Sequence, residues 1–259
     1  MDIETGTALK EKVSIITGAS GGIGLACAKL LFSHKSKVVL VDINQEKLES
    51  AIAQLDNLGI SDNILSLQLN VCNEADMTKM VTQTLDRFGR IDNLVACAGI
   101  LRLGSTLKTV LETPLDEWQK VIQTNLTGTF LSNRAVLPTM IEQKQGDIIN
   151  ISSTSGRQGR AFDAAYCASK FGIIGLSESL AEEVSSYGVR VQTILPDAVD
   201  TGFWDQNGPS SVRPPYALPP ERVAECILHL LTLPRDTFLL NPVISPLRTR
   251  KKRAKGKAD

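Results

Sequence analysis

The chain has no apolar run near the ~20 residues that a membrane-spanning helix requires; stretches such as 37–42 and 91–101 are soon broken by charge or glycine. No transmembrane helix is expected. Only two histidines are present, His34 and His229, and no Cys-x-x-Cys pair occurs. The five cysteines (Cys27, Cys72, Cys97, Cys167 and Cys226) are widely spaced and odd in number. Neither a metal centre nor a disulfide framework is expected, and the thiols are read as free. No internal repeat or interdomain linker interrupts the 259 residues. The acidic opening Met1-Asp2-Ile3-Glu4 lacks the basic, then apolar, pattern of a secretory leader, so the expectation is a cytoplasmic protein. Net charge is zero but unevenly placed: residues 248–259 are dense in Lys and Arg, which leaves the preceding body acidic. The plain reading of this tail is a disordered, solvated end; the alternative is a contact for nucleic acid, anionic lipid or an acidic protein.

What is present is an alternation of elements. Val13–Thr17 is a short β-rich run that ends in glycines, and Ile23–Phe32 follows with apolar residues at helical spacing. The pattern then predicts strands over 37–42, 64–71, 91–98, 147–152 and 189–195. Helices are expected over 45–58, 74–88, 115–140 and 164–187. Strands that are continuous Val/Ile/Leu runs between helices indicate a parallel sheet covered on both faces. The expected fold is a single α/β domain over 1–247, a doubly wound parallel sheet of Rossmann type with helices on both faces. The proline-rich stretch 197–220 carries Phe203, Trp204, Tyr216 and Leu218 and is read as a substrate lid. A last strand within 237–246, which contains two prolines, is expected to be short or at an edge.

The glycine turn is the first chemical signal. Gly18, Gly22 and Gly24, set between a buried strand and a helix, let backbone N–H groups approach a pyrophosphate at the positive end of the helix. Glycine clusters also make plain strand–helix turns, but the flanking strand and helix favour a dinucleotide. Asp42 ends the second strand, where a carboxylate accepts from an adenosine ribose and repels a 2′-phosphate. No Lys or Arg stands at Ala19, Ser20 or Ile43 to offset it, so NAD is expected over NADP. A helix-capping role is the other reading of Asp42.

The second signal is Tyr166-Cys-Ala-Ser-Lys170, with Ser153 upstream. Positions i and i+4 share a helix face, which sets Lys170 beside Tyr166. A nearby ammonium is expected to lower the tyrosine pKa and make it a usable acid or base. Ser153 follows a strand at the carboxyl edge of the sheet, where its hydroxyl can hold a substrate oxygen. Each residue alone has an ordinary structural reading; their conjunction with the glycine turn points to one active site.

Over residues 13–196 the sequence resembles the short-chain dehydrogenase/reductase family, through Thr-Gly-x-x-x-Gly-x-Gly at Thr17–Gly24 and through Ser153, Tyr166 and Lys170. The resemblance implies that Tyr166 exchanges the proton, Ser153 orients the carbonyl, Lys170 also binds the nicotinamide ribose, and Asn125 shapes a water relay. It implies a cofactor site that further includes Ser20, Ile23, Asn70, Val71, Ala98, Gly99, Val199 and Thr201. It also implies a homodimer or homotetramer through the long helices around Asn125 and Tyr166. The chain departs from the family pattern at Ala96-Cys97-Ala98-Gly99, where the family has Asn-Asn-Ala-Gly. It also departs at Asn70, which still offers an acceptor oxygen where the family has Asp, and at Pro196-Asp197, where it has Pro-Gly.

The expected function is therefore NAD(H)-dependent interconversion of a secondary alcohol and a ketone, the substrate being a 3-oxoacyl, steroid-like or other apolar carbonyl compound. Arg157 and Arg160, between Ser153 and Tyr166, are candidates to meet an anionic group. The competing expectation is a catalytically silent NAD-binding regulator that works through its basic tail.

Overall fold

The computed structural model describes residues 9–56, 61–104, 106–207 and 214–247. The basic tail 248–259 and positions 208–213 of the proposed lid lie outside the described residues.

Seven strands form one parallel sheet: β1 (Val13–Thr17), β2 (Lys37–Asp42), β3 (Ile64–Gln68), β4 (Asn93–Ala96), β5 (Gly146–Ile151), β6 (Val189–Pro196) and β7 (Val243–Ile244). Their spatial order is β3-β2-β1-β4-β5-β6-β7. The helices are α1 (Gly22–Ser33), α2 (Gln45–Asp56), α3 (Glu74–Phe88), α4 (Leu115–Ile122), α5 (Gly128–Glu142), α6 (Ala164–Val184) and α7 (Pro220–Thr232). Strands β1, β4, β5 and β6 are buried along their whole length, as continuous apolar runs require when both sheet faces are covered. Two aliphatic clusters make the core. One joins α1, α2 and α7 to one face of the sheet, and the other joins α3, α5 and α6 to the opposite face.

The chain order reverses between β1 and β4, which are neighbours with Thr17 opposite Ala96. That switch point opens a crevice at the carboxyl ends of the strands, the place where doubly wound sheets bind ligands. The glycine turn after β1 and the Ala98-Gly99 turn after β4 both empty into it.

Most expected elements are present with shifted ends. The strand read over 91–98 is confined to Asn93–Ala96, because the Asp92 carboxylate accepts the Val13 N–H at 3.0 Å before the ladder begins. The helix read over 45–58 is described as far as Asp56. The single long helix read over 115–140 is two helices joined by a π-helical turn at Gln123–Thr127, in which the Gly128 N–H bonds to the Gln123 carbonyl. Helix α6 ends at Val184, and a 3₁₀ turn at Ser185–Tyr187 leads to Gly188 in the left-handed conformation. Helix α7 was not read from the sequence, although Val223, Ala224, Ile227, Leu230 and Leu231 are buried along one of its faces and a proline stands at its start. The last strand is short and lies at the sheet edge, as its two prolines suggest.

Candidate active site

The glycine turn is closed on the sheet side and open on the other. A Cβ on Gly18 would lie 2.8 Å from the Ala98 backbone, and Gly18 has a left-handed φ of 65°. A Cβ on Gly24 would lie 2.1 Å from the Gly18 carbonyl oxygen. No side chain is tolerated at either place. A Cβ on Gly21, by contrast, would meet nothing within 4 Å. Gly21 also starts α1 without a side-chain cap, which leaves the first N–H groups of that helix, those of Gly22, Ile23 and Gly24, without a capping oxygen. This is the cradle that a pyrophosphate fits. Thr201 overhangs it, with its side chain 3.2 Å from where a Gly22 Cβ would stand. Val199 is held beside Thr201 by a bridge to Leu218.

Asp42 reaches into the same turn: its Oδ2 accepts from the Ser20 N–H at 3.2 Å and from the Ser20 hydroxyl at 2.7 Å. No cation pairs with Asp42 among the described residues. Its Oδ1 accepts the Asn44 N–H at 3.1 Å, while the cap of α2 is Asn44, whose Oδ1 accepts the Lys47 N–H at 2.9 Å. Asn70 Oδ1 accepts the Cys72 N–H at 3.0 Å, and the side chain closes the turn between β3 and α3. Val71, beside it, packs against Gly128 of α5.

Beyond β4, the Gly99 backbone forms a floor. A Cβ there would stand 3.3 Å from Asn125 Oδ1 and 3.9 Å from Lys170 Nζ. Asn125 is fully buried in the π-helical turn. Its Oδ1 accepts the Ile100 N–H at 2.8 Å, and its Nδ2 donates to the Ile100 carbonyl at 2.9 Å and to the Ser169 hydroxyl at 3.0 Å. It thus ties the β4 loop to α6. Such turns recur inside helices at functional sites.

Helix α6 carries Tyr166 and Lys170 on one face. Ser153 lies near enough to Tyr166 to favour its ionisation; its hydroxyl donates to the Pro196 carbonyl at 3.3 Å and accepts the Ser155 N–H at 3.1 Å. Lys170 Nζ donates to the Ile151 carbonyl at 2.8 Å and lies 5.5 Å from the centre of the Tyr166 ring. The expected acidification of the phenol is not found. Burial pushes the tyrosine up to about 12, against the lowering effects of Ser153 and Arg160, and burial pulls Lys170 down to about 8. Desolvation dominates, and Lys170, itself removed from water, is not among the groups that lower the phenol.

Cys97, where the family pattern has Asn, lies beside Cys27, and this neighbour together with burial pushes the Cys27 thiol up. All five cysteines are free. Asp197, at the position of the family's Gly, stands outside the left-handed region. Its N–H donates to the Ile244 carbonyl at 2.9 Å, and its carboxylate accepts from Arg160 at 3.1 Å. Arg160 is therefore committed to Asp197, and Arg157 donates to the Asn241 carbonyl at 2.9 Å. Both arginines fasten the loop. Of the aromatic lid residues, Phe203 lies with its ring centre 5.9 Å from that of Tyr166. Trp204 Nε1 donates to the Val199 carbonyl at 2.7 Å, and Tyr216 is exposed. Among the described residues no group of His, Cys, Asp and Glu is placed to hold a metal ion, and no helix is long and apolar enough to cross a membrane.

A doubly wound parallel sheet with a glycine cradle at its switch point and a Ser, Tyr and Lys beside it defines a nicotinamide-dependent oxidoreductase. Residues 12–211 match the short chain dehydrogenase family, and the chain belongs to it. It is 37% identical over 237 residues to a 3-oxoacyl-[acyl-carrier-protein] reductase of Synechocystis sp., covering 90% of this chain and 94% of that protein. Among solved structures it is similar to a metagenomic short-chain oxidoreductase in complex with NADP, at 32% identity and TM-score 0.79, covering 94% of this chain and 100% of that one. It is also similar to an NAD+-bound xylitol dehydrogenase, at 28% identity and TM-score 0.80, covering 91% of this chain and 98% of that one. The protein is an oxidoreductase of this family acting on CH–OH donors, and the family binds a nicotinamide dinucleotide.

Proposed function

We propose that the protein interconverts a ketone and a secondary alcohol with NAD(H), and that its residues are arranged for reduction at neutral pH. The observation that carries this reading is the placement of Ser153 beside Tyr166, with Lys170 on the same helix face 5.5 Å from the tyrosine ring centre and the glycine cradle alongside. When bound, the nicotinamide supplies or accepts the hydride at the substrate carbon.

The chain's own residues handle the oxygen and its proton. Tyr166, pushed up to about 12, stays protonated throughout the neutral range and is set to give its phenolic proton to the oxygen of the forming alcohol. Ser153 donates only a long bond, at 3.3 Å, to the Pro196 carbonyl. That donor turns toward a substrate carbonyl at small cost, and it polarises the carbonyl while Tyr166 delivers the proton. Lys170, pulled down to about 8, holds an exchangeable proton near Tyr166 and is placed to restore it. Asn125 holds Ile100 and Ser169 and so positions both the cofactor floor and α6.

The glycine cradle, Val199 and Thr201 are the residues that would hold the dinucleotide. Asp42 favours NAD, because its carboxylate already stands in the turn with no cation to neutralise a 2′-phosphate. Phe203 against Tyr166 supports a substrate with an apolar portion. Exposed Trp118, Phe130 and Phe171 on α4, α5 and α6 support a homodimer or homotetramer through these helices.

The test is NADH oxidation over a panel of ketones of increasing apolar bulk. Tyr166→Phe is expected to lower kcat by about 10²- to 10⁴-fold while NADH binding, followed by its fluorescence, is unchanged. Undiminished turnover refutes the assignment. Preference for NADPH over NADH in the same assay refutes the role of Asp42.

A further inference from the structure

We infer that Arg160 is a positioning residue that holds Ser153 and Tyr166 in register, acting through Thr154 and Asp197 on one side and through Cys167 on the other. The inference rests on Ser153 and Tyr166 being the groups that handle the substrate oxygen.

Two ties cross from the turn after β5 to the end of β6. In the first, the Ser153 hydroxyl donates to the Pro196 carbonyl at 3.3 Å. The second lies one residue further on in both segments, where the Thr154 hydroxyl donates to Asp197 Oδ1 at 3.4 Å. Both bonds are long, and neither by itself fixes the spacing. Arg160 Nη2 closes them into one unit: it donates to Thr154 Oγ1 at 3.0 Å and to Asp197 Oδ1 at 3.1 Å. The Asp197 side chain is only 9% exposed and that of Arg160 45%. The contact between them is therefore charge-assisted and partly withdrawn from the screening of water, which makes it the strongest member of the set.

The same residue reaches the other half of the site through its backbone. The Arg160 N–H donates to the Cys167 sulfur at 3.3 Å, and the Arg160 carbonyl accepts the Asp163 N–H at 3.3 Å. Cys167 follows Tyr166 in the first turn of α6, and its own N–H donates to the Asp163 carbonyl at 2.8 Å. Arg160 thus bonds to the chain neighbour of each reacting residue, Thr154 beside Ser153 and Cys167 beside Tyr166. Its charge acts at the same place, since it is among the groups that lower the Tyr166 phenol. The pairing also accounts for an aspartate where the family has glycine: the backbone of Asp197 lies outside the left-handed region, and its carboxylate has a cation to meet. Arg157 fastens the same loop at a different place, the Asn241 carbonyl, at 2.9 Å.

The experiment measures kcat, KM for the ketone best used in the panel, and NADH affinity of the full chain for Arg160→Gln, Asp197→Asn, the double variant and Arg157→Gln, with thermal unfolding as the check on folding. Removing the shared donor lets the Ser153 turn shift relative to Tyr166, and such a displacement weakens the transition state more than it weakens binding. Arg160→Gln is expected to lower kcat by about 10- to 100-fold, with KM and NADH affinity within about threefold of wild type. Because the two residues act as a unit, the double variant is expected to lose about as much as Arg160→Gln alone, well short of the product of the single losses. Arg157→Gln loosens the loop at its other anchor and is expected to keep kcat within about threefold. An Arg160→Gln protein that folds and keeps its kcat, single losses that multiply in the double variant, or an equal loss in Arg157→Gln overturns the inference and leaves the roles of Ser153 and Tyr166 intact. Should Arg160→Gln fail to fold, Asp197→Asn decides: kcat lowered about tenfold at constant KM supports the inference, and unchanged kcat overturns it. A wild-type protein that reduces no carbonyl at all overturns this inference and the proposed function together.

Discussion

Replacing Asn125 by Ala tests how the site is built. The side chain is completely buried and serves three partners: the Ile100 N–H, the Ile100 carbonyl and the Ser169 hydroxyl, all within 2.8 to 3.0 Å. Ser169 has a second bond, to the Tyr166 carbonyl at 2.7 Å, and loses least. The two Ile100 groups are left without partners. An orphaned polar group costs about 1–3 kcal/mol; Ile100 is partly exposed, so water relieves some of this, and the lower half of the range for two groups gives about 2–4 kcal/mol. At about 2–4 °C per kcal/mol for a chain of this size, the unfolding midpoint falls by about 4–16 °C. Guanidinium and thermal unfolding, run in parallel with NADH binding, measure the effect. Asn125→Asp adds a check of sign. It keeps an acceptor for the Ile100 N–H but sets a carboxylate oxygen against the Ile100 carbonyl, and burial raises the pKa of that new acid. Its folded-state pKa then exceeds its unfolded one, so its deficit is smallest at low pH and grows as pH rises from the unfolded toward the folded value. A loss below about 0.5 kcal/mol for Asn125→Ala, within ordinary surface-substitution noise, would show that the π-helical turn does not depend on this amide.

Two further outcomes are expected. Gly24→Ala places a Cβ 2.1 Å from the Gly18 carbonyl oxygen, a backbone atom that cannot yield alone; the cradle must shift, and NADH affinity is expected to fall by about 100-fold or more, so titration of NADH fluorescence with unchanged affinity counts against the cradle. Reduction is expected to be flat in pH below about 8 and to decline above it as Lys170 loses its proton, while Tyr166 remains protonated to about 12; a profile of kcat at saturating NADH that stays level to pH 10 removes Lys170 from proton supply.

Much of this protein is legible from local pattern. Runs such as Lys37–Asp42 read as buried parallel strands because both of their faces are covered, and glycine turns are visible because only glycine can occupy them. The competing reading, a silent nucleotide-binding regulator, is set aside by family membership and by the Ser153–Tyr166 contact. Less legible were features made by long-range contact. Helix α7 carried a signal in its apolar spacing, but the prolines before it masked its start. The π-helical turn at Asn125 depends on Ile100, which is remote in the chain. Arg157 and Arg160 looked available because the sequence does not show that Asn241 and Asp197 lie beside them.

The sequence by itself determined the order of strands and helices, the positions where a side chain is forbidden, and the i, i+4 placement of Tyr166 and Lys170, all of which follow from short-range sterics and periodicity. Only the tertiary structure decided the ionisation of that pair, because desolvation depends on everything packed around a group and on no residue alone. It also decided which charges are spent on one another, since pairing is settled by distances that the chain's linear order does not contain.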